Sequence, residues 1–163
     1  MDYGAFAELF DYPAAGLPRP PEAIASPAVR GLVEQFTRRA TALGPNGLEE
    51  AYAHTFDLQP ECTLNLSHHI FADEWKRSAM LIELKALFQR HALDHGSELP
   101  DHLCWLLRLM AAAPDDAELR ELRAHLLLPA LRALSERVRE ESNPYVPLLE
   151  ALVLVAGGEG APA

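Results

Sequence analysis

Apolar residues recur at helical spacing through most of this 163-residue chain, and prolines and glycines separate the periodic stretches. No run alternates apolar and polar residues long enough to make a half-buried strand, and Asn46-Gly47 has no β-rich flanks to turn into a hairpin. A chain patterned this way can bury its apolar stripes only helix against helix. The first helix is predicted over 3–10, with Phe6, Leu9 and Phe10 on one face; Pro13, Pro18, Pro20 and Pro21 forbid its continuation. Ser26 reads as an N-cap with Pro27 at the first helical position, opening a helix to about residue 43 with the stripe Val29, Leu32, Val33, Phe36 and Ala40. Gly44-Pro45 ends it, and a further helix begins near Asn46, carrying Leu48, Ala51, Tyr52, Thr55 and Phe56.

Residues 58–67 are expected to be irregular because Pro60 interrupts them. A long helix follows over 73–95, stopped by Gly96; Ser97 caps another over 98–113, with Pro100 in its first turn. A charged amphipathic helix spans 116–127, and Pro129 kinks it or starts a new one reaching about 141. Asn143 caps a last helix with Pro144 at its start, running to 156. The glycine-rich residues 157–163 are expected to be a disordered tail. The prediction is a single-domain all-α bundle of six to eight helices over residues 1–156, with short connections and no repeat of solenoid period.

Charge narrows the partners. Lys plus Arg number 14 against 24 Asp plus Glu, a net charge of -10, which repels phosphate backbones and argues against nucleic-acid binding. It favours cationic partners, including arginine-bearing peptides. Lys76 and Lys85 are the only lysines, so there is no polybasic membrane patch. The most apolar stretches, 103–113 and 148–156, are interrupted by Arg108 and Glu150 and fall short of the ~20 residues that span a bilayer. Met1-Asp2-Tyr3-Gly4 lacks the basic and apolar regions of a signal peptide, so no direct membrane insertion is expected. Cys62 and Cys104 form no C-x-x-C pair; two free thiols in a reducing compartment are favoured over a disulfide, and the expected location is cytoplasmic.

Catalytic signatures are missing: no nucleophile elbow, no phosphate-binding glycine loop and no dinucleotide fingerprint occur. His91 and His95, with His68 and His69 upstream, would share one helix face as a metal site needs, but no third ligand follows from the spacing, and polar histidines at a helix end explain the pair more simply. Glu49-Glu50, Asp115-Asp116 and Glu140-Glu141 read as acids at helix ends. Glu98-Leu99-Pro100-Asp101-His102-Leu103 places two acids and a histidine at the predicted start of an apolar helix, where a carboxylate meets exposed N–H groups.

That segment resembles the acid–x–Pro–Asp–His motif of the cytoplasmic redox-enzyme maturation chaperones, the TorD/DmsD/NarJ group, with the nitrate reductase assembly branch closest. Tyr52-Ala53-His54-Thr55-Phe56 is similar to the group's aromatic–x–x–Leu–Phe motif, with Thr55 in place of the leucine. Glu8-Leu9-Phe10-Asp11-Tyr12-Pro13 is similar to the branch's Leu-Leu-Glu-Tyr-Pro opening, and Glu141-Ser142-Asn143-Pro144-Tyr145 to its Glu-Ser-x-Tyr segment. The four occur in the group's order and cover about residues 6–156. The resemblance implies a helical chaperone without catalytic activity or a cofactor of its own. It would bind the N-terminal leader, often twin-arginine or a remnant of it, of a molybdenum enzyme's catalytic subunit. The subunit would stay in the cytoplasm until its molybdenum–pterin cofactor, and in the nitrate case an iron–sulfur cluster, is inserted. Domain-swapped dimers occur in the group, which leaves a homodimer open. The expected leader-binding residues are Tyr52, Phe56, Glu98, Asp101, His102, Leu103 and Tyr145. Tyr52 and Phe56 would line a groove with Leu103 and Tyr145. Asp101 would turn an oxygen outward to an arginine or backbone donor, and His102 would anchor the loop before the helix. A generic helical interaction domain and a histidine-based metal-binding bundle are the competing readings.

Overall fold

The computed structural model describes residues 3–22 and 24–158. Its helices are α1 (Tyr3–Phe10), α2 (Pro27–Tyr52), α3 (Glu74–Arg90), α4 (Leu103–Ala112), α5 (Ala117–Leu122), α6 (Leu128–Arg137) and α7 (Tyr145–Gly157). Among the described residues no strand forms, and the single β-type contact is an isolated antiparallel bridge between Asn65 and His102. The all-α class therefore holds. No described helix is long and apolar enough to cross a membrane.

Helix α7 is the central element. It buries Tyr145, Leu148, Leu149, Ala151, Leu152, Val155 and Ala156, an apolar surface on nearly every side, as a helix surrounded by others requires. Helices α2 and α6 pack on it, and α1 packs on α4. Ser26 caps α2 as expected, its Oγ accepting from the Val29 N–H at 3.4 Å. The expected break at Gly44-Pro45 is present as a sharp kink inside α2. Gly44 sits at φ 73°, ψ 175°, a conformation open to glycine alone, and this lets Pro45 begin a new helical segment without a missing hydrogen bond. Asn143 caps α7, its Oδ1 accepting from the Tyr145 N–H at 2.9 Å.

Several boundaries differ from expectation, among them the end of α6, at Arg137 rather than near 141. Helix α3 stops at Arg90 rather than 95. Ala92 takes a left-handed conformation (φ 52°), its N–H bonding to the Gln89 carbonyl and that of Leu93 to the Phe88 carbonyl, the paired closure usually built on glycine. Helix α4 starts at Leu103, so Glu98, Pro100 and Asp101 lie in the turn before it. Between α5 and α6 the chain stays helical through Pro129 by widening into a π turn over Arg123–Leu127, with the Leu128 N–H bonded to the Arg123 carbonyl. At the far end α7 runs through Gly157 and Gly158 closes it at φ 99°, so these two glycines belong to the helix end; the rest of the expected disordered tail, 159–163, lies outside the described residues.

Candidate functional site

The segment after Tyr52 does not finish as an α-helix. It widens into a π turn over Ala53–Asp57, with the Leu58 N–H bonded to the Ala53 carbonyl at 2.9 Å. Thr55 explains the anchoring of this turn. Its buried hydroxyl donates to the Ala51 carbonyl at 2.6 Å and accepts from Asn143 Nδ2 at 2.7 Å. Arg39 Nη1 donates to the Asn143 carbonyl at 2.9 Å. The residue that departs from the aromatic motif thus ties that motif to the cap of α7.

The tie aligns an aromatic cluster. The Phe56 ring lies 5.0 Å from Tyr145 and 5.2 Å from Tyr52, and Tyr12 stands edge-on to Tyr52 at 5.3 Å, all at steep interplanar angles that favour edge-to-face attraction. Tyr145 and Leu103 are fully buried, whereas Tyr12 is 48% exposed. Tyr52 and Phe56 are core residues too, 6% and 4% exposed, but each shows an edge to a cleft; Leu103 and Tyr145 lie behind it and do not line it, a correction to the expected groove.

The cleft has two lobes. One, of about 300 Å³, lies between the π turn and Thr63–Asn65; the other, of about 400 Å³, lies against Asp11, Trp105 and Arg108. Tyr12, Tyr52, Glu98 and His102 border both. Arg108 pairs with Asp11 and stacks over Trp105 with its Cζ 4.9 Å from the ring centroid. Tyr12 donates to Glu49 at 3.0 Å, and that bond is the main reason its phenol is held above its ordinary pKa. Among the described residues, Asp57 and Glu98 have no ion-pair partner. Arg108, the one Arg or Lys among the described cleft residues, is thus neutralised, and the rim keeps a negative balance.

Asp101 is not at the rim. It is fully buried: Oδ2 accepts from the Ser67 N–H at 3.1 Å and from the Ser67 hydroxyl, which in turn accepts from Arg77 Nε at 3.1 Å. Its Oδ1 is buried without a hydrogen-bond partner among the described residues. The expected outward oxygen in a first helical turn is therefore corrected to an inward carboxyl that pins the 64–67 segment against the start of α4. The Leu66 N–H to Asp101 carbonyl and Leu103 N–H to Leu64 carbonyl bonds complete the clasp. At His102 only the backbone meets this junction, in a bridge to Asn65 and with its N–H on the Leu99 carbonyl at 3.0 Å; the ring Nδ1 is buried without a hydrogen-bond partner among the described residues. Burial lowers the pKa of its ring, against the pull of Glu98, Asp101 and Asp11, so the neutral form is favoured.

Other candidates dissolve. Because α3 ends at Arg90, His91 and His95 share no helix face: His91 faces Asp116 at 3.5 Å, and His95 Nδ1 contacts the Glu98 carbonyl at 2.6 Å. No group of three potential metal ligands exists among the described residues. Both cysteines are free and buried, and burial pushes the Cys104 thiol well above its usual range, which keeps it from being a nucleophile. Tyr12, Asp57, Trp105 and Arg108 are cleft residues that motif reasoning did not single out. Tyr12 sat inside the opening motif, and Arg108 was visible as the charge interrupting an apolar helix; Asp57 carried no signal.

The nitrate reductase delta subunit family matches residues 22–151, most of the chain. The nitrate reductase molybdenum cofactor assembly chaperone NarJ of Escherichia coli (strain K12) is 29% identical over 122 residues, which cover 74% of this chain and 51% of that protein. The probable nitrate reductase molybdenum cofactor assembly chaperone NarW of the same strain is 28% identical over 107 residues, 65% of this chain and 46% of the relative. The chain thus spans about half the length of the curated relatives it matches.

Proposed function

The chain belongs to the nitrate reductase delta subunit family, and on that premise we propose that it is a non-catalytic assembly chaperone whose cleft receives a client's N-terminal leader. The client is the catalytic subunit of a molybdenum oxidoreductase of the nitrate reductase kind, held in the cytoplasm until its molybdenum–pterin cofactor is in place. One observation carries this reading. Four segments scattered from residue 8 to residue 145 converge on a single cleft: Asp11 and Tyr12, Tyr52 and Phe56, and Glu98 and His102 border it, and Tyr145 backs its aromatic wall.

The chemistry suits an amphipathic basic peptide. Its apolar face would lie on Tyr12 and on the exposed edges of Tyr52 and Phe56, and its cations would meet Asp57 and Glu98. Asp101, Leu103 and Tyr145 act from behind, as positioning residues that keep the cleft open in one shape. Titrating the chain with a synthetic leader peptide tests the reading. Saturable binding is expected that weakens with salt, because exposed charge pairs are screened beyond about 8 Å at physiological ionic strength. Asp57→Asn with Glu98→Gln should cost about tenfold in affinity or more and flatten the salt dependence. No binding, or an unchanged affinity in the double variant, would overturn the assignment.

A further inference from the structure

The largest exposed apolar side chains on a long helix are Trp75 (86% exposed) and Ile82 (70%), both on α3. Two alanines complete their stripe, Ala79 and Ala86, so the four positions are spaced four, three and four apart. This is the a/d spacing of a coiled-coil seam, and it lies opposite the face of α3 that buries Leu84, Leu87 and Phe88 in its own core. None of these residues touches the cleft described above.

We propose that this seam pairs with the same seam of a second copy of the chain, antiparallel, about a two-fold axis passing between Met80 and Leu81. Shape argues for this occupant. In that alignment Trp75 faces the partner's Ala86 and Ala79 faces the partner's Ile82, with the reverse by symmetry, so every layer sets one large side chain against one small. Charge argues for it too. The flanking Lys76 lies beside the partner's Glu83 and Glu83 beside the partner's Lys76, two opposite-charge pairs from residues that form no ion pair among the described residues. A parallel pairing has neither property: it stacks Trp75 on the partner's Trp75 and brings Lys85 beside the partner's Arg90. A seam of four layers is smaller than a standard interface of about 800 Å² per partner, so the dimer is weak, with a Kd on the order of tens of micromolar.

Sedimentation equilibrium of the full chain from micromolar to millimolar concentration reads the association directly. Ile82→Glu should abolish it. Lys76→Glu alone and Glu83→Lys alone each set like charges together at two places and should weaken it about tenfold. An equimolar mixture of these two variants restores both opposite-charge pairs, so a heterodimer of about wild-type affinity should form from two chains that each self-associate about tenfold more weakly. All these positions are solvent-facing, and circular dichroism verifies that each variant keeps its helix content. A chain that stays monomeric throughout, a dimer indifferent to Ile82→Glu, or single variants whose mixture does not recover would each overturn the proposal. The first of these would leave the seam to a different protein.

Discussion

Two turns in the described chain widen to i→i+5 hydrogen bonding, Ala53–Asp57 beside the cleft and Arg123–Leu127 between α5 and α6. The second has a covalent reason. Pro129 has no N–H to give and its ring would press on the carbonyl four residues back; a wider turn before it relieves that clash and lets the helix continue. Behind the first turn no helix continues for a proline to disturb, because Pro60 opens a separate short turn after the helix has ended. The first turn is held by a tertiary contact instead, the Thr55–Asn143 hydrogen bond, and it carries Phe56 to the cleft. The same backbone departure is thus local in one place and long-range in the other, and the long-range one serves the site.

The largest effect that would sharpen this contrast is expected at Asn143. Asn143→Ala removes both the acceptor for the Tyr145 N–H and the donor to Thr55, and should lower stability by about 2–3 kcal/mol in urea denaturation while weakening leader binding. Thr55→Val keeps the shape and deletes the hydroxyl; about 1–2 kcal/mol is expected, and in combination with Asn143→Ala the two losses should fall clearly short of additive. Additive losses would mean that the bond does not hold the turn.

A pH series probes the cleft side next. His69, in the segment framing the cleft, has Nε2 2.7 Å from the Thr63 carbonyl and Nδ1 facing Arg137, an arrangement only the neutral ring satisfies. Burial, first among the causes, holds its pKa below the ordinary 6.5. The sign follows: the unfolded chain takes up the proton first, so the stabilisation is complete above pH 6.5 and is lost progressively as pH falls towards the folded-state value. His102 adds in the same direction. His69→Gln should flatten part of the decline between pH 7 and pH 5 in thermal melts, and an unchanged profile would remove His69 from this account. Smallest of all is Pro129→Ala. The buried Leu126, Leu127, Leu131 and Leu134 keep the register that the π turn sets, so a change under about 1 kcal/mol and unaltered leader binding are expected. A large loss of leader binding there would erase the distinction between the two turns.

Local signals were legible in the sequence wherever the physics is local. Ser26 and Asn143 announce their helices because a cap acts on the next two or three residues, and Gly44-Pro45 announces a kink because both act on their own dihedrals. Ala92 could not be anticipated, since the left-handed closure it makes is normally the mark of glycine. Asp101 misled for a clearer reason. Its neighbours Ser97 and Pro100 fit a helix start, but its carboxyl is claimed by Ser67, 34 residues away, and no local pattern reports that. Leu103 and Tyr145 show the same limit from the apolar side: periodicity says a residue faces inward without saying whether a cleft opens in front of it.

The chain's two tryptophans carry a practical consequence of where they sit. Trp105 lies in the cleft beneath the Arg108 guanidinium, and Trp75 stands almost bare on α3. Each proposed surface therefore contains one native indole. An indole losing water shifts its emission to the blue, so Trp105→Phe leaves a chain whose glow reports helix pairing alone, and Trp75→Phe one that reports only the arrival of a peptide. Occupancy of the two surfaces can be followed separately in one cuvette, without a dye.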